Sequence, residues 1–197
     1  NAEGALTVAA SATGQSLFDG VKATAPADVA KTYRSQYSQN YQGTLPVEGD
    51  VVVPTTNVDG CQAFSADEAA EVQGKVVWLK WTDGALECGS GVRFTNVQAA
   101  GGIGVLLAGT VTSFDSGVAG NATIPGAELT SDSVASLQAA AQAGTLHVQF
   151  AQELKGFQLA TEQANVNTLA SFTSRGVHGS FDDIVKPDIA GPGVNVI

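Results

Sequence analysis

The run KVVWLKW at residues 75–81 constrains the fold more than any other stretch. It is apolar at nearly every position, so it lacks the alternation of a half-exposed strand. A strand of this kind is covered on both faces, which requires a sheet with further layers packed on either side. IGVLLAG at 103–109 has the same character and predicts a second buried strand.

The segments around these two runs carry helix signals. SADE (65–68) sets Ser65 and Glu68 at capping-box spacing, predicting a short helix that stops at Gly74. VRFTNVQAAGG (92–102) places Phe94, Val97 and Gly101 on one helical face, and its glycines end the helix. ATIPGAEL (122–129) reads as a short strand or extended segment around Pro125. TSDSVASLQAAAQAG (130–144) has cap candidates at its start, Val134 and Leu137 three apart, and Gly144 as a stop. TLHVQF (145–150) alternates like a half-exposed strand. The order is helix, strand, helix, strand, strand, helix, strand, a compact mixed α/β unit.

The flanks are less regular. ALTVAAS (5–11) predicts a short strand of small residues. Residues 12–46, with Pro26, Pro46 and the polar, aromatic YRSQYSQNYQG (33–43), have no clear period. They read as a connection with one or two edge strands. FQLATEQANVNTLASFTSRG (157–176) predicts one more strand and a polar loop. KPDIAGPGVNVI (186–197) reads as a buried strand entered through a Gly-Pro-Gly turn. No internal repeat is visible.

Composition narrows the function classes. With 44% hydrophobic and 14% charged residues the chain is not a disordered one. No apolar run approaches the ~18 residues of a membrane-spanning helix. No signal peptide is visible, which fits a mature or excised segment. The formal net charge is −10, from 19 acidic and 9 basic residues, and such a surface repels phosphate backbones, so nucleic acid is not an expected partner. The two cysteines, Cys61 and Cys88, would be separate buried thiols in a reducing cytosol and one disulfide in an exported protein. Without a nearby histidine they do not make a zinc site.

The central block resembles the protease-associated (PA) domain. The resemblance is carried, in order, by Gly60-Cys61, GKVVWLKW (74–81), Cys88, Arg93, AAGGIGVLLA (99–108) and IPGAELTSDSVASL (124–137). It covers roughly residues 47–150. Ser90 stands where the family often has an aromatic residue, and Val97 where it often has alanine. The resemblance implies an α/β fold with a β-sandwich or open barrel of the swivelling β/β/α type and two or three short helices. It also points to the loops Asp83 to Gly91 and Val111 to Asn121 as places for contacts.

The flanks resemble a different family, the catalytic domain of subtilisin-like serine proteases (subtilases, peptidase S8). ALTVAAS looks like a core strand of those enzymes. ASFTSRG (170–176) and KPDIAGPGVNVI look like their Ser-Phe-Ser-Ser-Arg-Gly and Lys-Pro-Asp-Ile-Ala-Ala-Pro-Gly-Val runs, with Thr173 for a usual serine, Val177 for proline and Gly191 for alanine. Large subtilases carry a PA insert between such stretches. The resemblance divides the chain into a catalytic-domain segment and linker (1–46), a PA domain (47–150) and a return into the catalytic domain (151–197). It implies a secreted or cell-surface, bacterial parent that cleaves peptide bonds by Ser-His-Asp catalysis. The triad aspartate and histidine would precede ALTVAAS and the serine would follow KPDIAGPGV. The insert would gate access or recognise polypeptide substrates, and a dimer through PA loops or flanks is conceivable on that basis. An exported parent selects the Cys61–Cys88 disulfide, which contributes about 3 kcal/mol on the chain-entropy account. The alternative is a stand-alone extracellular interaction module with the PA fold and no catalytic role.

No catalytic residue is expected within the chain itself. A serine protease site needs a hydroxyl in reach of an imidazole oriented by a carboxylate. His147 reads as an exposed strand position, and His178, near Asp182 and Asp183, as part of a surface turn with no nucleophile motif. The glycines of AAGGIGVLLAG precede a strand and lack the Gly-x-Gly-x-x-Gly spacing, so they read as a helix-to-strand turn and not as a dinucleotide loop. SFDSG (113–117) and SFDD (180–183) match no defined calcium loop. No cofactor or metal is expected here, although the parent could bind calcium. NAT (121–123) reads as loop sequence. An independent enzyme of another class, such as a PA-containing metallopeptidase, ranks third, since the Arg-Gly and Lys-Pro-Asp runs resemble those of subtilases and no set of His, Asp and Glu has bridging-metal spacing.

Overall fold

The computed structural model describes residues 6–82, 88–114, 116–170, 172–173 and 186–194. Ten strands and three α-helices are found among the described residues: β1 (Val8–Ala12), β2 (Gln15–Ala25), β3 (Thr32–Tyr37), β4 (Val47–Val52), α1 (Ala66–Val72), β5 (Val76–Lys80), α2 (Ser90–Ala99), β6 (Gly104–Ala108), β7 (Gly126–Leu129), α3 (Ser131–Gln142), β8 (His147–Phe150), β9 (Gln158–Thr161) and β10 (Ile189–Val194). The chain divides into two units, residues 18–158 and the two flanks 1–17 with 159–197.

The larger unit is built on a closed ring of strands in the order β3-β7-β6-β5-β4-β8-β2, closed by pairing of β2 with β3. β4, β5, β6 and β7 run parallel to one another, and the remaining contacts are antiparallel. Closure is the physical answer to the edge problem, because every strand of the ring then has a partner on both sides. The expected sandwich or open barrel is thus a closed barrel. Residues 12–46 supply more than a connection: β2 and β3 are the strands that close it.

Every strand of the ring sends side chains to one core. It holds Val21 and Ala23 of β2, Tyr33 of β3, Val51 of β4 and Trp78 of β5. Leu106, Leu129 and Phe150 join them from β6, β7 and β8, and α3 adds Leu137 and Ala141. A second core lies on the opposite face of β5 and β6, where Val77, Leu79, Val105 and Leu107 meet Val72 of α1 and Phe94 and Val97 of α2. This is why 75–81 and 103–109 have no polar alternation. Alternate side chains enter two different cores.

Local signals set the helices. The Ser65 hydroxyl accepts from the Glu68 amide at 3.4 Å while the Glu68 carboxylate accepts from the Ser65 amide at 2.7 Å, the reciprocal box predicted from the sequence. Helix α2 ends in a Schellman turn. Gly102 N donates to Val97 O at 2.9 Å and Gly101 N to Gln98 O at 3.0 Å, with Gly101 at φ +84°. The glycine run is therefore the expected helix-to-strand turn. Gly126 has a different reason to be glycine, since a Cβ there would stand 2.5 Å from the Phe94 ring.

In the flanking unit, β1 and β10 pair in parallel, with Val8 opposite Ile189 and Ser11 opposite Pro192. The other edge of β1 is bridged by residues 167–170: Ala12 N donates to Thr168 O at 2.8 Å and Ala170 N to Ala10 O at 2.9 Å. The Thr173 hydroxyl accepts from Ala10 N at 2.9 Å, which ties residue 173 to β1. The terminal strand is exposed along most of its length, with only Val194 buried, and not the buried strand its composition suggests.

Candidate binding groove

The four parallel strands all end on one side of the barrel, where α3 leaves β7. In parallel α/β sheets the region beyond the carboxyl ends of the strands is where ligands bind. A cavity of about 180 Å³ opens there. Its floor is Trp78 of β5 and Ala108 of β6. One wall is the segment after β4, through Val53 and Val58. The other is one face of α3, where Val134, Gln138 and Gln142 recur every four residues. Lys80, at the end of β5, is its one charged lining residue. The Val58 carbonyl is held by Lys80 N at 2.8 Å, which fixes that wall to the strand.

Loops 83–91 and 111–121 are the expected places for contacts, and this groove lies elsewhere. Residues 83–87 of the first loop and Asp115 of the second fall outside the described residues. The end of the second loop is stitched to the barrel, with Gln39 N donating to Val118 O at 2.9 Å and Asn40 N to Ala119 O at 3.0 Å. The four-residue spacing of Val134, Gln138 and Gln142 was present in the sequence. What no spacing reveals is that this face of α3 meets Trp78.

Beneath α2, Arg93 is buried and donates to the carbonyls of Cys88 (3.3 Å), Lys80 (2.9 Å) and Asp59, and its guanidinium stacks on Trp81 at 5.0 Å. The Cys61–Cys88 disulfide lies next to these contacts, with Cα atoms 5.7 Å apart. Cys61, Cys88 and Arg93 thus form one structural clasp. His147 is half-buried on β8, where an exposed strand position was expected. Its Nδ1 lies 2.8 Å from Asp50 Oδ1, and Lys75 reaches Asp50 Oδ2 at 2.9 Å. The His147 hydrogen bond, then Lys75, hold the Asp50 carboxyl below its ordinary range. The His147 ring bonds Asp50, and its carbonyl accepts from the Thr24 hydroxyl at 3.4 Å. His178, Asp182 and Asp183 lie outside the described residues, as does SFDD. Asn121 of NAT accepts from Thr123 N and Ile124 N, an Asx turn.

Residues 47–137 match the family model of the PA domain. The closed barrel with three helices is consistent with the fold of that domain. No curated protein matches the chain in sequence. Solved structures similar in fold include an aminopeptidase from Aneurinibacillus sp. strain AM-1, with TM-score 0.48 and 12% identity over 70% of this chain and 31% of that one. A second is BSAP, a zinc aminopeptidase from Bacillus subtilis, with TM-score 0.46 and 10% identity over 79% of this chain and 33% of that one. A third is a peptidase M28 precursor from Shewanella amazonensis SB2B, with TM-score 0.40 and 10% identity over 67% and 33%. The chain therefore spans about a third of the length of these structures. The subtilase resemblance rests on the flanking residues alone.

Proposed function

We propose that the chain is the PA insert of an exported subtilisin-like serine endopeptidase together with strands of its catalytic domain, and that the PA unit receives polypeptide substrate for the parent. The observation that carries this reading is the parallel pairing of β1 with β10. It sets the two subtilase-like runs, far apart in sequence, side by side in register. Parallel strands occur almost only in sheets covered on both faces. Here Leu6 is 75%, Val8 56%, Ile189 57% and Phe172 63% exposed, which is apolar surface suited to cover by a larger α/β domain. The disulfide accords with an oxidising compartment.

Two measurements test the proposal. The coding sequence on both sides is expected to supply an aspartate and a histidine upstream and a Gly-Thr-Ser run downstream, and a stop codon directly after Ile197 would overturn it. A fluorophosphonate probe is expected to label the longer protein and to leave the 197-residue chain unlabelled.

A further inference from the structure

We propose that the groove beside α3 seats an extended polypeptide segment with an apolar side chain over Trp78 and, two residues along, a carboxylate side chain on Lys80. This rests on the reading of the PA unit as a receiver of polypeptide, and it names the site and the sequence feature read there.

Three spacings agree. Trp78 and Lys80 are alternate residues of one strand and so share a face, ~6.6 Å apart. Alternate side chains of an extended ligand are separated by the same ~6.6 Å, so a residue on the tryptophan brings the one after next to the lysine. Gln138 and Gln142 are one helical step of four residues apart, a rise of ~6 Å. Each carboxamide offers a donor and an acceptor, so the pair can meet alternate peptide groups of an extended chain. The cavity volume of about 180 Å³ suits one large aliphatic side chain and not a folded domain.

Charge decides the second feature. In a chain of net charge −10, Lys80 is the one charged residue lining the groove. Its ammonium makes no ion pair among the described residues. A carboxylate is therefore complementary to the groove, and a cationic side chain is repelled by it.

The test is a titration of the isotope-labelled 197-residue chain, followed by amide and indole NMR signals. The probes are the capped peptide acetyl-Ala-Leu-Ala-Glu-Ala-amide, its twin with lysine for glutamate, and the uncapped acid acetyl-Ala-Ala-Leu-Ala. The signals of Trp78, Ala108 and Gln138 are expected to move, with the glutamate peptide binding roughly fivefold more tightly than the lysine twin, as one partly exposed ion pair allows. Lys80→Gln, on an exposed side chain, is expected to abolish that preference while leaving the folded spectrum intact. No movement in the groove, or equal affinity for the glutamate and lysine peptides, overturns the proposal. Tighter binding of the uncapped acid also overturns it, and assigns the lysine to a chain-terminal carboxylate instead. These outcomes are independent of parentage, which is read from the flanking coding sequence and the fluorophosphonate label.

Discussion

Thr7 and Asp188, 181 positions apart, exchange two hydrogen bonds: Thr7 N donates to Asp188 Oδ2 at 2.7 Å, and Asp188 N donates to Thr7 O at 2.9 Å. The same carboxylate takes the Lys186 ammonium at 2.8 and 2.9 Å. The Lys-Pro-Asp run is thus a clasp that starts the β1–β10 ladder. Lys186 first, then the Thr7 amide, hold the Asp188 carboxyl below its ordinary range. A lowered folded value means a contribution present above the unfolded value of 3.8 and lost as pH falls through the folded one. Asp188→Ala is expected to speed amide exchange of Thr7 while leaving Val77 and Leu106 protected. Unchanged exchange at Thr7 would remove the clasp from the account.

The Cys61–Cys88 bridge closes a loop of sequence separation 27, and on the chain-entropy account its loss costs about 3 to 4 kcal/mol. Urea unfolding of Cys61→Ser with Cys88→Ser, against the oxidised chain, measures it. The midpoint is expected to fall and the slope to rise, because the unfolded chain freed of the bridge exposes more surface. An unaltered midpoint would show that the clasp around Arg93 holds without the bridge.

Arg93 serves three carbonyls from a buried position, and a lysine cannot reproduce that fork. Arg93→Lys is expected to destabilise by about 2 kcal/mol, the scale of a lost charge-assisted hydrogen bond. Thermal unfolding is the measurement, and the disulfide is expected to persist in the variant. A change well below 1 kcal/mol would mean that the Lys80 and Cys88 carbonyls find water in its place.

How much of this architecture was legible in advance follows from the range of the forces involved. The start of α1 and the ends of α2 and α3 are set by residues within one turn, so Ser65, Glu68, Gly101 and Gly144 could be read directly. The continuous apolar runs of β5 and β6 announced two covered faces. By contrast, β2 alternates through Ser16 and Phe18, then slips at Gly20 and Val21, which breaks the period. β4 has Glu48 and Asp50 on its exposed positions and Gly49 on a buried one. Its strand character comes from pairing with β5 and β8, as that of β3 comes from β2 and β7. The groove was the least legible part, because Trp78 and Gln138 belong together only once β5 and α3 have packed.

Packing at Gly126 tests the second core. A methyl group added there would meet the Phe94 ring at 2.5 Å and the Val105 carbonyl at 2.6 Å, both fully enclosed. Gly126→Ala is expected to cost about 1 to 3 kcal/mol through overpacking. Gly144→Ala provides a contrast, because no atom lies within 4 Å and its cost comes from φ +67° alone, about 1 kcal/mol. Equal destabilisation of the two variants would contradict the steric account of Gly126.

Glu68 gives the sharpest reading by pH. Its carboxyl accepts from the Thr56 hydroxyl, the Ser65 amide and the Asn57 amide, and these bonds, Thr56 first, lower its pKa from 4.5 to about 2. A depressed folded value places the contribution of the capping box above pH 4.5, where it is complete, and removes it progressively as pH falls through about 2. Carbon-detected NMR of the Glu68 carboxyl is expected to show a midpoint near the lower value. The amide of Ala69 should lose protection over the same interval, since the first turn of α1 depends on the box. Thr56→Val removes the leading donor and is expected to move the midpoint upward toward the ordinary carboxylate range. A midpoint of 4.5 in the unaltered chain would contradict the bonding assigned to this residue.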